Sequence, residues 1–177
     1  RFIMSDFRID KITNRDGSSG TQIAGITTFS GTSGMQLPSG PTENRGGRGR
    51  GVIMGGGTPS VTNVCEYITI ATTGNSQDFG DMSAAIATNG GAASATRSFS
   101  LGGTTAPVAS SVINYITTSS LGGASTFGDL TLARKYPAGV SDSTRAIANG
   151  GSDPSTTDII DYITMASTGD ASDFGDL

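Results

Sequence analysis

The chain repeats itself, and the repeat limits what it can fold into more than any other feature. The words EYITIATTGNSQDFGDM at 66–82, NYITTSSLGGASTFGDL at 114–130 and DYITMASTGDASDFGDL at 161–177 are variants of one another. Tyr67, Tyr115 and Tyr162 stand 48 and 47 residues apart, as do Phe79, Phe127 and Phe174 and also Asp81, Asp129 and Asp176. Arg50, Arg97 and Arg145 follow at 47 and 48, and each is followed at the fifth and sixth positions by a glycine pair: Gly55 and Gly56, Gly102 and Gly103, Gly150 and Gly151. A unit of this size is one piece of supersecondary structure that cannot bury its apolar side alone and must stack on its neighbours.

Within a unit, a short apolar run after the arginine (RGVIM, RSFSL, RAIAN) leads to a glycine-rich turn, a second run (VCEYITI, VINYITT, IIDYITM) and a polar turn. Runs of this length, rich in Val, Ile, Tyr and Thr and bounded by turn residues, are strand signals, so each unit holds at least one hairpin. In the second run Val64, Glu66, Ile68 and Ile70 fall on one face and Cys65, Tyr67 and Thr69 on the other. Apolar groups on both faces predict cover on both, which stacked sheets supply. The 27 glycines and the absence of tryptophan suit a β-rich chain with tight turns better than a helical bundle. The expected fold is all-β.

A period in the high forties with several short strands matches the four-stranded blade of a β-propeller, and an open β solenoid is the alternative the same period permits. The arginine, apolar run, glycine pair and later tyrosine of residues 50–177 resemble the kelch repeat, with a divergent motif: kelch repeats carry a tryptophan shortly after the tyrosine, and here a phenylalanine stands twelve after it. Three units are expected, 50–96, 97–144 and an incomplete 145–177. Propellers close with about four to eight blades. Closure is therefore expected from further units of a longer chain or from several chains sharing it. The unpaired edge left by stopping inside a unit favours the first.

Residues 1–49 have no period and too little apolar material for a core of their own. They are expected to be a docking and assembly segment, ending in a glycine- and arginine-rich linker, whose Ile23, Ile26, Phe29, Met35 and Leu37 pack on a different chain. The wording ITNRDGSSG, IAGITTFSGTSGMQLPSGPTE and the YIT…FGDL units resembles virion structural proteins of tailed bacteriophages, particularly those infecting marine cyanobacteria. That resemblance implies a non-enzymatic tail, neck or fibre component located in the virion and assembled in the host cytoplasm. Its expected partners are other virion proteins, further copies of itself (a trimer among the states allowed), and a host surface glycan or protein.

With no histidine, Ser-His-Asp and Cys-His nucleophile systems and ordinary zinc or copper sites are excluded. No catalytic residue, metal or cofactor is assigned, and no polar cluster is read as breaking the repeat. Asp170, Asp173 and Asp176 invite calcium, but the charge is not maintained in the other units and a surface turn is the better reading. The segment NRGGRGRG at 44–51 resembles an RNA-binding run, yet the net charge of −4 argues against nucleic acid as the main partner. No apolar run approaches the ~20 residues of a membrane span, so no membrane partner is expected. Cys65 stands in the column of Ile113 and Ile160 and reads as a small buried hydrophobe. The arginine and aspartate columns are expected to pair as a buried clamp within or between blades, the alternative being exposed loop charges.

Overall fold

A computed structural model describes residues 49–57 and 59–177. Ile23, Ile26, Phe29, Met35 and Leu37, and the docking role given to their segment, lie outside the described residues. Among the described residues every regular element is a β-strand. The first sheet holds β1 (Arg50–Gly57), β2 (Val61–Thr69) and β3 (Gln77–Asp81). The second holds β4 (Gly90–Ala93), β5 (Arg97–Thr104), β6 (Ala109–Thr117) and β7 (Ser125–Asp129). The third holds β8 (Ala138–Ser141), β9 (Arg145–Asn149), β10 (Ile159–Thr164) and β11 (Ser172–Asp176). Each sheet is an antiparallel meander in chain order, and none closes into a barrel.

The sheets are out of phase with the repeat counted from arginine. The second unit, 97–144, gives its last strand, β8, to the third sheet, and residues 145–177 supply the other three strands. The short GGAA and AGVS strands carry no β-branched run that would announce them, and they form because β5 and β9 offer a free edge: Gly90 pairs with Leu101 and Ala138 with Asn149.

The glycine pair is not the turn its composition suggests. In β1 and β5 it lies inside the strand, at a register shift between Met54 and Gly56 and between Leu101 and Gly103. Gly102 and Gly103 have φ of +55° and +113°, a conformation that side chains resist. A Cβ on Gly103 would lie 2.6 Å from the carbonyl oxygen of Ala87. The bulge exists to let the connection between sheets cross the strand at backbone contact. Along that crossing Gly56 N–H donates to Ile86 O at 2.9 Å, and Gly103 N–H to Arg134 O at 2.9 Å.

The core lies between sheets. Met54, Cys65, Phe79, Met82 and Ile86 pack with Ile116 of the second sheet. Phe99, Leu101, Ile113, Phe127 and Leu130 pack with Ala146, Ala148, Ile163 and Met165 at the second junction. Fully burying one such large side chain contributes about 1.5–3 kcal/mol. Cys65 is fully buried, and burial, with the charges of Asp81 and Asp78 adding to it, pushes its thiol up to about 11. Cover on both faces holds for β6, where Ile113 and Ile116 are both buried. It does not hold for β2, whose Val64 and Ile68, with Ile70 just beyond its end, are exposed because they lie on the outer face of the first sheet.

Candidate functional site

The recurrent columns meet at the junctions between sheets. Each tyrosine sits on a strand with neighbours on both sides: Tyr67 pairs with Val52 and Gln77, Tyr115 with Phe99 and Ser125, Tyr162 with Ile147 and Ser172. Each meets the phenylalanine of its own sheet edge to face, with ring centroids 5.9 Å apart for Tyr67 and Phe79, 5.7 Å for Tyr115 and Phe127, and 5.9 Å for Tyr162 and Phe174. Over each tyrosine lies the column's arginine, its guanidinium carbon 4.5 Å (Arg50), 4.7 Å (Arg97) or 4.8 Å (Arg145) from the ring centroid. A cation at this distance is attracted to the negative face of the ring.

The arginine then reaches across to the next sheet. Arg50 Nη1 donates to the Thr118 carbonyl at 2.9 Å, and Arg97 Nη1 to the Met165 carbonyl at 2.6 Å. Thr118 and Met165 occupy the same column, one unit apart. The expected arginine–aspartate clamp is therefore corrected: among the described residues no ion pair joins the two columns. The aspartates lie at the exposed outer edge, where Asp129 Oδ1 accepts from Ser111 Oγ at 2.9 Å, and an arginine drawn onto a tyrosine ring within the sheet cannot reach them.

What the aspartate column contributes to the junction is its backbone. Gly122 N–H donates to Phe79 O at 2.9 Å and Ala124 N–H to Asp81 O at 2.8 Å. One unit later Gly169 N–H donates to Phe127 O at 2.9 Å and Ala171 N–H to Asp129 O at 2.8 Å. The glycine between phenylalanine and aspartate makes this approach fit: a Cβ on Gly80 would lie 2.6 Å from the Gly122 carbonyl, and one on Gly128 would overlap the Gly169 carbonyl. The phenylalanine is sealed in consequence, Phe79 being 3% and Phe127 4% exposed against 53% for Phe174 on the outer face of the third sheet.

One element of the site breaks the repeat. Arg134 and Asp161 are both fully buried and pair at 2.8 Å in the second junction. Asp161 also accepts from the Thr131 hydroxyl at 2.6 Å and the Thr131 amide at 3.1 Å, and Arg134 donates to the carbonyls of Ala148 at 3.0 Å and Leu132 at 3.2 Å. Of the polar atoms of this pair, Arg134 Nε has no partner among the described residues. The first junction fills the same slots with Ile86 and Asn114, and Ser83 Oγ donates to Asn114 Oδ1 at 3.4 Å. The reading that no polar group breaks the repeat is thus corrected. Its signal was present in the sequence: isoleucine becomes arginine at one column of the junction while asparagine becomes aspartate at another.

Among the described residues no group of three or more carboxylate or thiol side chains is gathered as a metal ion would need. Asp173 and Asp176, in the stretch that invited calcium, lie in strand β11 and not in the surface turn expected for them, and Asp173 Oδ1 accepts from the Gly175 amide at 2.9 Å. No protein-family model matches the chain, and no curated protein matches it.

Proposed function

We propose that this chain is a non-enzymatic structural protein of a tailed-bacteriophage virion, a tail, neck or fibre component whose N-terminal segment attaches to the particle and whose sheets are displayed outward. The observation that carries the reading is the use of the recurrent columns of the first two units in joining sheets. Arginine, tyrosine, phenylalanine and the Phe-Gly-Asp backbone are spent on the two junctions, as in a scaffold. The wording of residues 12–43 and of the repeats, which resembles such virion proteins, supplies the setting.

The sheets are read as consecutive kelch-like propeller blades, with the open solenoid as the alternative. Meander order, a connection from the last strand of one sheet to the first of the next, and close approach of β4 to β8 support blades. Ser141 Oγ donates to the Ala93 carbonyl at 2.8 Å there, and a Cβ on Gly139 would overlap the Gly91 carbonyl.

A second reading, recognition of a host glycan or protein, is favoured by a cleft of about 540 Å³ beside β1, β4 and β8. Arg50, Asn89, Ser98 and Ser141 line it, polar groups of the kind that hydrogen-bond a sugar. Gold-labelled antibodies raised against the chain test the first reading: label on the tail or fibre of intact particles is expected, and label confined to the host lysate would refute it. Glycan-array binding that Asn89→Ala abolishes would establish the second.

A further inference from the structure

The outer faces of the first and third sheets are the two halves of the junction that occurs twice between them. On the third sheet Arg145 stacks on Tyr162 like its counterparts, but no carbonyl among the described residues accepts from its guanidinium. Phe174 is exposed there, and the space over Gly175 is open where Gly80 and Gly128 meet the backbone of a following sheet. On the first sheet Ile68 and Ile70, the latter 70% exposed, stand in the columns of Ile116, Ile163 and Met165, which the preceding sheet buries. Gly74 and Ser76 stand in the columns of the amides, Gly122 and Ala124, that donate across the junction.

We propose that the third sheet binds the first sheet of a second copy of this chain, head to tail. Arg145 then donates to the Ile70 carbonyl, Gly74 N–H to the Phe174 carbonyl and Ser76 N–H to the Asp176 carbonyl, while Phe174 is covered beside Ile68. The occupant follows from complementarity: both halves of a contact already made twice are carried by one chain, with donors on one end and matching acceptors on the other. Such a contact is heterologous, so it closes into a ring if the rotation per copy allows and otherwise grows as a filament. The inference rests on the reading of the repeats as joining elements of an assembling structural protein. The two are tested apart, since particle labelling can fail while association holds, and the reverse.

The test uses the full chain in solution. Light scattering is expected to show mass rising with concentration, with Ile70→Glu and Phe174→Glu each weakening association about tenfold or more, as interface anchors do. Val108→Glu, at an exposed loop position away from both faces, is expected to leave it unchanged. Ser76→Cys with Asp176→Cys in one chain should give a disulfide-linked ladder or ring under oxidation, with Cys65 too buried to interfere, and this readout stands even if a charged variant folds poorly. A monomer at every concentration overturns the proposal. So does association indifferent to Ile70 and Phe174, cross-linking by Asp176→Cys alone, or binding only to chains that carry additional units of this repeat.

Discussion

At the scale of single residues, the Arg134–Asp161 pair decides how the second junction differs from the first. Two fully buried charges at 2.8 Å are held by the Thr131 bonds and by two backbone carbonyls. Removing one partner leaves the other charge buried and uncompensated, which costs about 3–5 kcal/mol. Asp161→Asn and Arg134→Ile should each destabilise by that amount in urea denaturation. The double variant restores the Ile86 and Asn114 arrangement of the first junction and should fall within about 1 kcal/mol of the parent, because an apolar replacement of a buried pair is often neutral. Equal and additive losses would contradict the pairing. Cys65 gives a second check. Its thiol is raised to about 11 in the fold from an ordinary value near 9. The stability linked to its neutral form is complete below pH ~9 and is lost as pH rises toward ~11, by at most about 1.4 kcal/mol per unit. A thiol reagent at neutral pH should react only after unfolding, and rapid reaction with the native chain would refute its burial.

At the scale of elements, the arginine column shows how one residue type takes its value from what faces it. Arg97 combines the Tyr115 ring with the Met165 carbonyl, whereas the Arg145 guanidinium has the Tyr162 ring and the charge of nearby Asp142 but, among the described residues, no carbonyl. Arg97→Ala should cost about 2–4 kcal/mol, from a cation–ring contact and a charged hydrogen bond, and Arg145→Ala about 0.5–1 kcal/mol at most. Arg97→Lys should recover part of the loss, since an ammonium keeps the charge without the flat stacking surface. Thermal melts in which both alanine variants fall equally would contradict the junction account. The same column shows what could be read in advance. Strand character, period and the Arg, Tyr and Phe columns were legible because they recur in hydrophobic and aromatic residues. The arginine's partner was not, because a backbone carbonyl such as that of Met165 has no sequence signature. The role of the glycine pair was hidden for a similar reason: Gly102 and Gly103 look like a turn until the crossing of Ala87 and Arg134 shows that a bulge was needed.

At the scale of the whole molecule, the repeat is a device for joining sheets, and identical columns behave differently according to whether a sheet precedes them. Residue-resolved hydrogen exchange tests this most directly, run at a concentration too low for copies to associate. The amides of Gly122, Ala124, Gly169 and Ala171 donate across junctions to Phe79, Asp81, Phe127 and Asp129. Gly74 and Ser76 hold the same columns on the outer face of the first sheet. The four junction amides should exchange slowly, near the rate set by unfolding of the stack, while Gly74 and Ser76 exchange as exposed loop amides. Protection that is alike at all six, or absent from the four, would contradict the claim that the repeated columns exist to bind one sheet to the next.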